Sequence, residues 1–475
     1  MAVYYPFAPE NDATYRLVNG PHVAVFNDKL DPDYVGTLSE ITGLDSAEVR
    51  ESFEDLVQAD GGVHGDFYYG RRPIVLTGKS YGHPTVALRN YRLDKLLRAS
   101  NAMRSDATLS WRPSLRTENL IVNPSAEVAV TPWVANSAVP LSRSTTWAAN
   151  GTASFRVNGT TAAGSTFPGI SLGSADFIPV QAGRAYGIRA TFNTITAPAV
   201  SSGAVAVIRF YDANKVMIGT STDISGSTSG TATGVRSVVG VGTAPAGAAY
   251  AAIIVYVHAN AAYPVDFYVD SVIVSPLPTA TIASMPAYFD GTTAGMYWQG
   301  TPHASASGDF IEMFTTVRRQ QPPRYTGGWV KDFQIALVSE YAPLYSAAVT
   351  ARTALAGSTT GATQHVITNR GSGKAFPIIR IYGNGGQNPY VENMTTGEKV
   401  RYGGYGGVNL NLANGAWVEI DTLNHTATLN DGSSVNGSID YSWSTPVWPS
   451  IIMGDNTFRL VNAGTMDVTY RDTWS

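Results

Sequence analysis

Few residues in this chain are spaced for chemistry, and each such spacing has a plainer reading beside it. Gly169-Ile170-Ser171-Leu172-Gly173 fits the G-x-S-x-G pattern of a nucleophilic serine. That pattern works on a strand-to-helix elbow with acid and histidine partners. No helical sequence follows Gly173, so a glycine-flanked strand or loop is expected. The seven histidines, among them His22, His64, His83, His258 and His303, have no H-x-x-x-H or other close metal-ligand spacing. Structural or surface roles are expected for them. Gly403-Gly404-Tyr405-Gly406-Gly407 leads into no convincing helix, which a phosphate cradle needs, and reads as a loop. Asp266 and Asp270 are the pair that a glycan hydrolase could use, since glycosidases set two carboxyl groups across the scissile bond. Cysteine is absent, which removes disulfides, thiolate catalysis and cysteine zinc sites together. No catalytic residue is assigned.

The elements that must position these residues are mostly strands. At 475 residues the chain exceeds one ordinary core, and two to four domains are expected. Its 47 glycines and 26 prolines, with many Thr, Val and Tyr residues, describe short strands joined by turns. Composition divides the chain. Residues 1–116 hold 28 charged side chains, whereas residues 119–288 hold 13 and a single lysine, Lys215. Such a shift marks a domain boundary. Two helices are expected in the first segment. One starts at a capping box of Asp45 and Glu48, with Val49, Phe53 and Leu56 on one face. The other covers about Leu93 to Met103. Arg71–Leu76 and Thr108–Trp111 read as strands. In the middle segment Ala185–Phe192, Ala204–Tyr211, Ala251–His258 and Val265–Val274 are strand-length runs between glycine-rich turns, the pattern of a β-sandwich. Phe376–Tyr382 and Ala416–Asp421 are strands of the last segment, with a hairpin turn at Asn430-Asp431-Gly432 and a reversal at Gly454-Asp455-Asn456.

Net charge is −4, so no large basic surface is available for phosphates, and direct nucleic-acid recognition is disfavoured. No apolar run reaches the roughly 18–20 residues that span a bilayer, and membrane insertion is not expected. The start, Met-Ala-Val-Tyr-Tyr-Pro-Phe, lacks the basic stretch and apolar core of a signal peptide. Synthesis in a cytoplasm without export by the usual route is expected.

Two sets of motifs carry a resemblance. Gly61-Gly62-Val63-His64, Tyr69-Gly70-Arg71-Arg72-Pro73-Ile74-Val75-Leu76-Thr77-Gly78, Arg92–Leu97 and Leu109-Ser110-Trp111 come first. Arg318–Pro323, Trp329–Val338, Asn388-Pro389, Asn393–Glu398, Val418–Asp421, Gly454–Thr457 and Arg471–Trp474 follow after the middle segment. In that order they resemble the distal tail proteins of long, non-contractile-tailed phages (siphophages), as found among actinobacteriophages. Within the middle segment, Asn119–Glu127 and Phe267–Val274 resemble the first and last strands of jelly-roll carbohydrate-binding modules. Tyr288-Phe289-Asp290-Gly291 and Trp298–His303 are similar to sequences in actinophage tail proteins that carry such modules. Ala126 departs from the pattern, standing where an aromatic is usual.

The resemblance implies a mainly β, multi-domain protein. A β-sandwich tail domain with a few helices would occupy 1–116 plus 309–345, an inserted jelly-roll sandwich 117–308, and a C-terminal galectin-like β-sandwich 346–475. It implies a virion protein at the tail tip, in a homo-oligomeric ring expected to be hexameric, between the major tail tube protein and the baseplate hub or a tail-associated protein. The insert would bind a host cell-wall glycan, and Trp133, Trp147, Tyr211, Tyr256 and Tyr263 are the aromatics available to stack on sugar rings. Each is weighed against burial in the core, the commoner fate of a sandwich aromatic. The resemblance further implies a structural calcium site at Glu127 and Asp270, the alternative being a Glu127 paired with Arg143 or Arg156 or left solvated. The rival reading of the whole chain is a virion-associated or secreted glycan hydrolase with a binding module.

Overall fold

The computed structural model describes residues 13–44, 49–55, 62–69, 71–101, 107–113, 116–161, 167–197, 203–228, 232–259, 263–339, 343–441 and 448–474, with 49–55 and 62–69 described by their backbone. The protein is mainly β and multi-domain. The chain divides into two compact units, one of Met1–Asn27, Asp33–Ser114 and Glu312–Ser475, the other of Leu115–Ile311 with Asp28–Pro32. Among the described residues no helix is long and apolar enough to cross a membrane.

The first unit is built on a ten-stranded sheet. Its order is Arg324–Thr326, Lys331–Ser339, Arg72–Ser80, Tyr34–Thr42, His22–Phe26, Thr14–Asn19, Ala107–Arg112, Met313–Arg319, Leu344–Ser346 and Thr473–Trp474. Lys331–Ser339 also pairs with Met313–Arg319, through Arg318 opposite Val338. The sheet therefore closes on itself and leaves no free edge there. Alternation drives the closure: Tyr15, Leu17, Ile74, Leu76, Leu109, Ile335 and Leu337 are fully buried. Phe333 fills the middle of this core against Phe26, ring centroids 5.7 Å apart. Gly78 makes room for it, since a β-carbon there would lie 2.6 Å from the Phe333 ring and 2.4 Å from the Thr37 carbonyl.

Among the described residues one α-helix is present, Val86–Ser100. It starts seven residues before the expected Leu93, because Thr85 caps it by accepting the Leu88 N–H at 3.2 Å. Met103 lies outside the described residues. The other expected helix is a correction. Val49–Asp55 is a strand, paired antiparallel with Gly62–Tyr69; Asp45–Glu48 and Leu56 lie outside the described residues. The four-residue spacing of Val49 and Phe53 is even, so it fits a strand's period of two as well as a helical turn.

The last segment contributes its own sheet and core to this unit. The long strands Thr350–Asn369 and Gly454–Tyr470 pair along their length. Ile378–Tyr382 and Tyr390–Asn393 share the other edge of Gly454–Tyr470. Residues from the resemblance motifs act here as buried fasteners. Asn456 accepts from Asn393 Nδ2 (3.0 Å) and the Ile452 N–H (3.1 Å) and donates to the Ile452 and Gly454 carbonyls. Asp472 accepts the Arg370 N–H and Nε. Gly454 has φ 88° where it opens the strand, a conformation that glycine adopts without steric cost.

The second unit is a β-sandwich. One sheet has the order Leu141–Ser144, Ser154–Thr160, Pro264–Leu277, Ala185–Thr194, Gly234–Thr243. The other, six-stranded, runs Ile224–Ser227, Ala204–Tyr211, Tyr250–Val257, Gly169–Leu172, Trp133–Ala135, with the short strand Ile178–Pro179 also paired to Tyr250–Val257. Phe155, Phe192, Phe210 and Phe267 meet in the core between them. Glu118–Asn119 pairs with Ser307–Gly308, and Thr117 and Asp309 exchange hydrogen bonds beside them. The two ends of the module are thereby held together. The buried Asn119 side chain adds four more bonds, accepting from the Ile121 and Val274 N–H groups and donating to the Val272 and Phe289 carbonyls. Asn119→Ala should lower the unfolding free energy of this unit by about 1–3 kcal/mol, because it strands buried backbone groups. Denaturant titration of an isolated 117–308 fragment measures this, and an unchanged midpoint would contradict the assignment.

Candidate functional site

The five aromatics read as sugar contacts separate once the chain is folded. Trp133 is a core residue. It is 2% exposed, packs on Phe155, and donates its indole N–H to the Asn123 carbonyl at 2.9 Å. Tyr263 packs partly buried against the same core, its hydroxyl donating to the Ala197 carbonyl. Neither is offered to a ligand. Trp147 lies on the five-stranded sheet against Tyr268, ring centroids 5.9 Å apart. Arg156 covers the same Tyr268 ring. Only Tyr211 and Tyr256 share a face.

That face is the outer side of the six-stranded sheet, and the strand register creates it. In Ala204–Tyr211 the side chains of Ala204, Ala206, Ile208 and Phe210 enter the core. Val205, Val207, Arg209 and Tyr211 must therefore point the other way. Tyr256, Ile254, Ala252 and Tyr250 stand opposite those four in the neighbouring strand. Ser171 lies beside Ile254, and Ser225 beside Val207, on the flanking strands. Val205, Val207 and Ala252 are 5%, 5% and 3% exposed although none belongs to the core cluster. They are the floor between taller side chains.

Aromatic groups stand at both ends of this floor. At one end Tyr256, Phe167 and His258 meet edge to face, with centroids 5.1–5.3 Å apart. At the other, Tyr211 lies on Phe177 at 4.5 Å, and Lys215 sits over the rings of Phe177 and Tyr250 while donating to the Ser174 carbonyl. Six residues of strand separate Val205 from Tyr211, so the ends are about 20 Å apart. Between them Arg209 binds Asp223 at 2.9 Å. Burial pushes the Tyr256 hydroxyl up and the His258 imidazole down, so both are neutral near pH 7. The sequence singled out two of these residues and missed Arg209, Asp223, Phe167, Phe177 and His258. An Arg–Asp pair formed between a strand and the turn leading into its neighbour leaves no local spacing to find.

The residues considered for catalysis are placed otherwise. Ser171 is a strand residue paired with Ile254, and a three-residue turn, Ser174–Asp176, follows instead of a helix. Asp266 is held by Arg156 through bonds of 3.0 and 2.9 Å, and the guanidinium keeps its carboxyl below the usual range. Asp270 is fully buried. Its Oδ2 accepts the Ala149 and Asn150 N–H groups, while Glu127 accepts those of Thr152 and Ala153 and the Thr152 hydroxyl. The two acids thus grip the same loop.

Calcium needs six to eight oxygen ligands. The groups turned toward these carboxylates are N–H and O–H donors, and the Glu127 carbonyl is taken by the Arg143 guanidinium at 2.8 Å. Among the described residues no third His, Cys, Asp or Glu joins the pair. The donor set fits a loop clamp and does not fit calcium.

In fold the chain is similar to a phage protein. Over 98% of this chain and 99% of the other it aligns with SPP1 Dit (gp 19.1), described as a paradigm of hub adsorption apparatus in phages infecting Gram-positive hosts, at 6% identity and a TM-score of 0.40. The CBM22-1 xylan-binding domain of Paenibacillus barcinonensis Xyn10C aligns over 34% of this chain and 97% of its own length, at 14% identity and a TM-score of 0.27. A family 16 carbohydrate-binding module aligns over 33% and 99%, at 20% identity and a TM-score of 0.24. No family model and no curated protein matches the sequence.

Asp270 makes the module sensitive to pH. Desolvation pushes its carboxyl up to about 7, outweighing its backbone N–H donors, with Glu127 adding repulsion. The folded value lies above the unfolded one of 3.8. Its stabilising contribution is therefore complete below about pH 4 and is lost as pH rises toward 7. Unfolding of the 117–308 fragment should cost about 2–3 kcal/mol more at pH 5 than at pH 8. In Asp270→Asn most of that difference should vanish. Equal stability of the parent fragment at both pH values would refute the assignment.

Proposed function

We propose that this protein is a structural component of a phage tail tip, and that its inserted module holds a host surface glycan on the outer face of the six-stranded sheet. The flanking segments would form a closed homo-oligomeric ring, six-fold by the family resemblance, between the tail tube and the baseplate hub. The ordered series of flank motifs supports the tail assignment. One observation carries the binding assignment: a low-lying apolar floor, about 20 Å long by the strand rise, with aromatic groups at both ends and a polar pair between. Aromatic rings stack on the apolar faces of sugars, while polar groups between them take up hydroxyls.

The rival hydrolase reading meets a physical obstacle. A glycosidase needs one protonated and one ionised carboxyl facing the substrate. Asp266 is ionised but taken up by its pair with Arg156, and Asp270 is closed off from solvent. We therefore infer a binding and structural role without catalysis. Incubation with cell-wall polysaccharides should release no reducing ends, and turnover abolished by Asp266→Ala or Ser171→Ala would overturn this.

With few charges on the module, contact depends on stacking and hydrogen bonds more than on salt. A single module should bind in the millimolar to micromolar range, and copies on one ring would raise avidity by about 10² or more. Host envelopes should retain the assembled full chain far better than the 117–308 fragment. Tyr256→Ala should weaken both. Strictly monomeric flanks in light scattering would count against the ring, and equal retention of Tyr256→Ala and parent would count against this face.

A further inference from the structure

Resting on the assignment of this face to glycan binding, we propose that Asp223, clamped by Arg209, supplies the hydrogen-bond acceptor that selects uncharged polyhydroxyl sugar chains over acidic ones. Arg209 Nε and its terminal nitrogen both bind Oδ2 of Asp223 at 2.9 Å. The Asp223 side chain is only 9% exposed, yet among the described residues its other oxygen, Oδ1, is buried without a hydrogen-bond partner. A buried carboxylate oxygen left without a donor is costly, and such groups are rare in folded proteins. The position of this one gives it a purpose. Asp223 directly precedes Ile224–Ser227, beside Arg209 and between the two aromatic ends, and a ligand hydroxyl donates to Oδ1 once the side chains that cover it move aside.

The same geometry selects on charge. Arg209 and Asp223 cancel one another, and Lys215 is turned over two rings and onto the Ser174 carbonyl. His258 is held neutral by burial, and burial likewise keeps the Tyr256 hydroxyl protonated. A ligand carboxylate or phosphate arriving at Oδ1 would meet a second anion, and the adjoining cation, Arg209, is already bound to Oδ2. A hydroxyl would meet a fixed, desolvated acceptor. Burial raises the Asp223 carboxyl above its ordinary value while Arg209 opposes the rise. Lowering the pH protonates it and removes the acceptor.

The test uses the full chain on an array of neutral oligosaccharides and uronic-acid oligosaccharides of matched length. The parent should bind neutral chains, and binding should weaken as pH falls from 7 to 4 while the melting temperature shows the protein still folded. Asp223→Asn keeps the shape but must turn its oxygen to Arg209, placing an NH2 donor where Oδ1 stood. It should lose about tenfold or more in affinity, as expected for one hydrogen bond to a charged group, and its pH dependence should flatten. Trp147→Ala, on the opposite sheet, should bind as the parent does. Parent-like affinity of Asp223→Asn, a flat parent pH profile, or preference for uronic-acid chains would overturn the role of Asp223 and leave the glycan reading standing. A parent that binds no oligosaccharide and no host envelope would overturn both.

Discussion

The closure at the base of the inserted module is the constraint on which the rest of that module depends. The chain contains no cysteine, so no disulfide brings the ends of the module together. Hydrogen bonds do so instead. Asn119 joins the first strand to the last through the backbone of Val272 and Val274, and to the outgoing segment at Phe289. Thr117 and Asp309 complete the closure. A domain whose ends meet can sit within another chain without disrupting the host core, because the host sees only a short loop.

From that base the binding face follows through strand register. Ala204–Tyr211 and Tyr250–Val257 pair without a shift over eight residues. A slip of one residue would send Tyr256, Arg209 and Tyr211 into the core and Phe210 into solvent. The inward residues pack against Phe155, Phe192 and Phe267, and the transfer free energy of that burial holds the register. Positioning of the face is thus a consequence of core packing. The face itself retains a cost, the Asp223 oxygen that no donor among the described residues meets, of a kind that stability alone would remove.

The flank motifs are similarly explained by packing and buried hydrogen bonds. Gly78 leaves space for Phe333, and Asn393, Asn456 and Asp472 hold turns whose backbone groups would otherwise be stranded. Residues of this kind preserve a fold. A motif made of them identifies architecture more readily than it identifies a ligand.

The sequence by itself determined that the protein is built of strands, that a low-charge sandwich interrupts a more charged host, and where most strands run. Turn residues and strand-length apolar runs are local properties, so they survive in the linear order. It did not determine which side of Ala204–Tyr211 faces inward. Seven of its eight residues are apolar or aromatic, and the smaller alanines enter the core while the valines do not. Nor could it separate Trp133 from Tyr256, because burial depends on neighbours far along the chain. The helix expected at Val49 became a strand since an even spacing serves both periods and only pairing with Gly62–Tyr69 decided between them. The Glu127 and Asp270 carboxylates were visible as acids, but only folding turned N–H donors toward them in place of calcium-binding oxygens. Arg209 meets Asp223 at the turn leading into the adjacent strand, and their pairing and burial exist only in three dimensions.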